Sequence, residues 1–208
     1  MNQKTRPYII AMTGASGAQY GIRAVQAMAE LGKEIALVIS ESAKTVIREE
    51  LNIEIGDLKE PQLERLFDRA VLERVTYYYH GDFTAPIASG SYPTQGMIVI
   101  PCSTTTLGRI AAGISQGLIE RAAECVIKEG RKLVLVPRET PLSAIHLENM
   151  LKLARLGVAI VPAMPGFYAR LQTVQEMVDF VVGKSFDSIS ITHGLFERWT
   201  GSRRAEPW

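Results

Sequence analysis

The 208-residue chain has only two cysteines, Cys102 and Cys125, and neither belongs to a CxxC pair or a Cys/His ligand spacing. That shortage excludes a disulfide-built fold and a zinc site, and it makes a reducing cytoplasm the expected compartment. No run approaches the ~18 apolar residues that span a bilayer. The apolar stretch that follows the N-terminal residues, Tyr8 to Met12, is too short for a secretion signal. Neither export nor membrane insertion is expected. Charge of one sign is also missing: 23 Lys and Arg face 22 Asp and Glu, net +1, too even for the basic footprint of a nucleic-acid binder. An anionic small ligand would therefore be held by local charges. There is no GxGxxG loop for a dinucleotide and no DDxxD pair to hold Mg²⁺ on a diphosphate. The three histidines, His80, His146 and His193, have no metal or triad spacing.

What is present is an ordinary globular composition, 47% hydrophobic and 22% charged. No linker or repeat divides the chain, so a single domain over 1–208 is expected, with a polar, loose tail from about residue 200. Short Ile/Val-rich runs alternate with segments of helical period, the pattern of a parallel sheet with crossover helices. Strands are predicted at Tyr8–Met12, Glu34–Ile39, Met97–Pro101, Leu133–Pro137 and Val158–Val161, with a further one around Thr76–His80. Helices are predicted at Gln19–Leu31, Ser42–Leu51, Gln62–Arg69, Leu107–Ala112, Leu118–Glu129, Ser143–Leu156 and Val174–Ser188; Gly32, Gly130 and Gly157 are candidate C-caps. The fold class is an open, doubly wound α/β sheet, whose ligands bind outside the carboxyl ends of the strands.

The loops at those ends carry the candidate chemistry. Thr13-Gly14-Ala15-Ser16-Gly17-Ala18 opens the first helix and offers amides to a phosphate, although Gly14, Gly17 and Gly21 equally suit close helix–sheet packing. The second strand ends at Ser40 with Glu41 beside it, which disfavours NAD. Cys102-Ser103-Thr104-Thr105-Thr106 reads either as an anion site or as a capped, hydroxyl-rich first turn, with Cys102 a buried thiol. Arg121 and Lys128 lie two turns apart on one helix face and suit an anion clamp; Glu124, four before Lys128, offers the competing ion pair. Arg138-Glu139 at a strand end is a site pair or a salt bridge, and His146 a core or capping residue.

Together these segments resemble the UbiX-type flavin prenyltransferases. The likeness is carried by MTGASGAQYG at Met12–Gly21, ASGS at Ala88–Ser91, PCSTTTL at Pro101–Leu107, LIERAAE at Leu118–Glu124, LVLVPRETPLSAIHLENMLKL at Leu133–Leu153 and PGFY at Pro165–Tyr168. It implies a Rossmann-like flavoprotein fold with helices on both faces of a mostly parallel sheet. The implied reaction is metal-free transfer of a dimethylallyl group from dimethylallyl phosphate to N5 and C6 of reduced FMN. The product, prenylated FMN, would serve UbiD-type decarboxylases, including those of ubiquinone biosynthesis, and the assembly would be a homododecamer.

By matching position, Gly14, Ala15, Ser16, Ser40, Ser103, Thr104, Thr105, Thr106 and Arg138 would hold FMN. Arg121, Lys128, Glu139, Tyr168 and Lys184 would surround the dimethylallyl phosphate, with Ser16 and Glu50 near the reacting flavin. The resemblance thus makes Ser16, Glu50, Arg121, Lys128 and Glu139 the catalytic set, Glu139 as proton carrier. The allylic cation would be screened by π-faces such as Phe83, Tyr168 or Trp199. Two positions depart from the best-known form: Lys184 replaces an arginine, keeping the charge without the bidentate fork, and Phe83 stands where some members carry tryptophan. The competing functions are an FMN-dependent cysteine-type decarboxylase of the same fold and a non-catalytic FMN-binding or delivery module.

Overall fold

A computed structural model describes residues 6–169, 171–199 and 201, so the loose tail expected from about residue 200 falls outside the described residues apart from Gly201. Six strands form one sheet: β1 (Tyr8–Met12), β2 (Ile35–Ile39), β3 (Val75–Tyr79), β4 (Gly96–Cys102), β5 (Leu133–Pro137) and β6 (Ala159–Ile160). Among the described residues all five neighbouring pairs are parallel and the order is β3-β2-β1-β4-β5-β6. That order reverses direction between β1 and β4, which opens a crevice at their carboxyl ends.

Strands β2, β4 and β5 are buried along their whole length, as expected where helices cover both faces. The alternation of side chains separates two cores. Ile10 and Met12 face one of them, with α1 (Ala18–Glu30), α2 (Glu41–Leu51) and α7 (Val174–Ser188). Ile9 and Ala11 face the other, with α4 (Thr104–Ala112), α5 (Leu118–Lys128) and α6 (Ala144–Arg155). Ile9, Ile10 and Met12 each contribute about 1.5–3 kcal/mol by leaving water. Gly32, Gly130 and Gly157 follow the ends of α1, α5 and α6 in left-handed backbone, as C-caps do.

The helix expected over Gln62–Arg69 is not continuous. A 3₁₀ turn at Leu63–Arg65 is followed by the short α3 (Arg69–Leu72). The Asp68 carboxylate accepts from the Val71 amide at 2.9 Å and so starts a new helix where periodicity alone continues the old one. Helix α4 begins three residues before its expected start because Ser103 caps it. The strand expected at Val158–Val161 shortens to Ala159–Ile160 at the sheet edge.

Gly21 fixes how closely α1 approaches the switch point. A Cβ there would lie 2.6 Å from the Ile100 carbonyl oxygen and 2.7 Å from Met12 Cγ. Alanine would raise intrinsic helix propensity by up to about 1 kcal/mol, yet pushing α1 off the sheet costs about 1–3 kcal/mol. Gly21→Ala is therefore expected to lower the urea midpoint; a midpoint equal to or above that of the parent chain would contradict the close packing.

Candidate functional site

Beyond the carboxyl ends of β1, β2 and β4 lies a cavity of about 490 Å³. Gly14, Ser40, Ser103, Thr105 and Thr106 line it, five residues that sequence alone placed in three separate loops. Ser40 caps α2 by accepting from the Ala43 amide at 3.1 Å. Ser103 caps α4 by accepting from the Thr106 amide at 3.2 Å, and its hydroxyl donates to Thr106 Oγ1 at 3.1 Å. Two helix starts therefore meet at one opening, where unpaired amides and the positive ends of both helices favour an anion. Gly14 has a steric role as well, because a Cβ there would collide with Ser42 Cβ.

Thr13 joins the two halves of this arrangement. Its buried hydroxyl donates to the Pro101 carbonyl at 2.8 Å and accepts from the Ser103 amide at 2.7 Å. Sequence reasoning gave Thr13 no separate role, and it also missed Arg109, Glu120 and His80 in the lining. Arg109 is four residues after Thr105 on α4, so their shared helix face was a usable signal. Its guanidinium pairs with the buried Glu120 at 3.3 Å. His80 directly follows β3, and its Nε2 is buried without a hydrogen-bond partner.

Ser16, Glu50 and Arg138 form a neighbouring cluster. Glu50, near the end of α2, reaches the start of α1, where its carboxylate accepts from the amides of Gly17 and Ala18, each at 2.9 Å. Arg138 Nε donates to the Ser16 carbonyl at 3.2 Å. Burial pushes the Glu50 carboxyl up, but the Ser16 hydroxyl, the Ala18 and Gly17 amides and the Arg138 charge together hold it below its ordinary value of 4.5. An anion aimed at the α1 start meets a carboxylate already bonded there.

The remaining candidates divide between the two faces of the sheet. On α5, Arg121 donates to the Ala88 carbonyl at 3.0 Å and pairs with Glu124 at 2.9 Å, while Lys128 pairs with Glu129 at 2.8 Å. The i,i+4 pair of Glu124 with Lys128 is thus replaced by two shorter-range pairs. Lys184 lies on α7, in the opposite layer, 3.7 Å from Asp187. Exposed Tyr168 packs edge-on against Phe180 and Trp199. Half-buried Glu139 accepts from the Thr140 amide at 3.0 Å and lines a small recess with Pro162 and Met164, which also flank Lys184. Thr104 and Ala15 lie outside the lining of the large cavity.

Two other readings resolve locally. Burial, with the Glu120 charge adding to it, pushes the Cys102 thiol far up, which leaves no thiolate for nucleophilic chemistry. His146 completes a capping box with Ser143 at the start of α6. Among the described residues no helix is long and apolar enough to cross a membrane.

The depressed Glu50 carboxyl sets the sign of a pH effect. Its stabilisation is fully present above the ordinary value of 4.5 and is lost as pH falls through the lower folded value. The stability advantage of the parent chain over Glu50→Gln is therefore expected to shrink as pH is lowered from about 6 to about 3. Urea midpoints that fall in parallel across that range would contradict the interaction.

The family model described as Flavoprotein matches residues 1–186. The flavin prenyltransferase UbiX of Halalkalibacterium halodurans is 54% identical over 196 residues, covering 94% of each chain. The crystal structure of AnUbiX, described as a complex with FMN and dimethylallyl pyrophosphate, superposes with a TM-score of 0.86 at 39% identity, covering 96% of this chain and all of that one. A dodecameric FMN-dependent UbiX-like decarboxylase from Escherichia coli O157:H7 gives a TM-score of 0.82 at 46% identity, covering 94% of this chain and all of that one. The chain with this switch-point cavity belongs to the flavoprotein family and, within it, to the UbiX flavin prenyltransferases.

Proposed function

We propose that the chain transfers a dimethylallyl group from dimethylallyl phosphate to N5 and C6 of reduced FMN and releases prenylated FMN for a UbiD-type decarboxylase. The observation that carries this reading is the hydroxyl-lined cavity where α2 and α4 begin, with the Ser16–Glu50–Arg138 cluster beside it. These residues fit FMN. Ser40, Ser103, Thr105 and Thr106 supply hydroxyls, the helix starts supply amides, and His80 Nε2 is a buried polar atom lacking a partner. Gly14, Ala15, Ser16, Thr104 and Arg138 complete the proposed flavin set.

Reduced flavin supplies the nucleophilic N5 and C6 positions. The protein's part is to strip phosphate from the allylic carbon and manage the charge left behind. Arg121, Lys128 and Lys184 neutralise the negative charge that grows on the leaving group, and Tyr168 adds a phenol hydroxyl. Glu139 takes the N5 proton and passes it to the departing phosphate. Exposed aromatic faces at Phe83, Tyr168 and Trp199 screen the cation once they are covered. Lys184 brings a point charge to the leaving group without the bidentate fork of an arginine.

Arg121 and Lys128 occupy one face of the sheet and Lys184 the other, so one chain does not gather the full cationic set. A homo-oligomer, in our reading a dodecamer, would supply the missing members from a second copy. Ile145, Leu147 and Leu151, exposed on α6, and Phe167 on the loop before α7 offer apolar surface for that assembly. The two buried, unpaired cysteines are compatible with the reducing cytoplasm in which we place it.

Purified chain given FMN, a reductant and dimethylallyl phosphate without oxygen is expected to release a flavin heavier by one C5 unit, read by mass spectrometry. Glu139→Gln is expected to bind FMN normally and to form that product at least about tenfold more slowly. An unchanged flavin mass would leave a flavin-delivery module as the reading, and a normal rate in the variant would remove Glu139 as proton carrier.

A further inference from the structure

The chain beyond α7 folds back onto that helix. His193 and Phe196 lie against Gly183, where a Cβ would come within 2.6 Å of each ring. Phe196 packs on Phe180 with ring centroids 4.9 Å apart, and the His193 side chain is buried. The Leu195 amide donates to His193 Nδ1 at 3.1 Å, which leaves the proton of the neutral ring on Nε2, 3.2 Å from Asp187 Oδ1. Arg198 closes the fold-back. Its Nη1 and Nη2 donate to Asp187 Oδ2 and Oδ1, each at 2.7 Å, and its guanidinium carbon lies 5.1 Å from the centre of the Phe196 ring.

This clamp governs what Asp187 does to Lys184. The two stand i,i+3 on α7, a spacing at which a lysine and an aspartate ordinarily pair and cancel each other's charge. Here Lys184 Nζ stops 3.7 Å from Asp187 Oδ2, beyond hydrogen-bond distance. The reason is competition: a planar guanidinium making two parallel bonds takes a carboxylate in preference to a flexible, strongly hydrated ammonium. Burial pushes the Asp187 carboxyl up, yet the hydrogen bonds and charge of Arg198 hold it below its ordinary value. The carboxylate is thus ionised at neutral pH and would draw Lys184 in if Arg198 left it.

We infer that Arg198 is a positioning residue for prenyl transfer: by occupying Asp187 in a bidentate pair it keeps the Lys184 ammonium available to the leaving phosphate. The inference rests on the role proposed above for Lys184 and adds to it a residue that acts through two others.

Calorimetric titration of dimethylallyl phosphate into the full chain loaded with oxidised FMN, where no prenyl transfer consumes the ligand, tests it. Arg198→Gln is expected to weaken dimethylallyl phosphate about two- to fivefold while leaving FMN affinity unchanged. Arg198→Gln combined with Asp187→Asn is expected to regain most of the parental affinity, because the competing carboxylate is then gone. In a Lys184→Ala background, itself weaker than the parent, Arg198→Gln is expected to change nothing further. An Arg198→Gln variant with parental affinity, or one that weakens FMN as much as dimethylallyl phosphate, overturns the inference. So does an equal loss in the Lys184→Ala background, which would put the effect on Arg198 itself or on its neighbour Trp199, and so does a failure of Asp187→Asn to restore binding. In all these cases the prenyl-transfer reading stands. A parent chain that binds FMN but not dimethylallyl phosphate overturns both.

Discussion

The hydroxyl of Thr13 holds together the place on which the site depends. By donating to Pro101 and accepting from the Ser103 amide, it ties the end of β1 to the end of β4, the two strands between which the sheet reverses direction. The Ser103 cap, the first turn of α4 and Arg109 on the next turn take their positions from that junction. A buried hydroxyl with both roles filled costs about 1–3 kcal/mol to leave half-satisfied. Close approach by Gly14 and Gly21 brings α2 and α1 to the same point. The cavity is thus a consequence of packing small residues where two crossovers diverge.

Much of this frame was legible because its causes are local. The bounds of β1, β5 and α7 are those the sequence predicts, since Ile/Val runs buried on both faces and a Thr173–Glu176 capping box leave little latitude. The hydroxyl run at Ser103–Thr106 and the capping Ser40 likewise announce themselves by position after a strand. Contacts between distant segments did not. Nothing near Gly17 indicates that Glu50, 33 residues later, will occupy its amide. Arg121 chose Glu124 at i,i+3, which sequence reasoning gave to Lys128. At Asp68 a side-chain cap overrode an apolar period, and His80 escaped notice because histidine spacing was searched for metal and triad chemistry rather than for strand ends.

A sheet covered on both sides also limits what one chain can do. Residues meet freely at its carboxyl edge, as Gly14, Ser40 and Ser103 do, but α5 and α7 pack on opposite faces. The proposed flavin end is therefore built within the chain, whereas the cations we propose for the leaving phosphate are divided between two surfaces. Tyr168 and Trp199 are exposed on the α7 side.

Subunit complementation tests that division most directly. Lys128→Ala and Lys184→Ala, each purified alone, should form little prenylated flavin; the two co-expressed and purified as one mixed oligomer should recover a substantial fraction of parental turnover, because some sites then receive both lysines from different chains. A mixed oligomer no more active than the better single variant would contradict a site completed between copies, as would a monomeric parent chain with full activity.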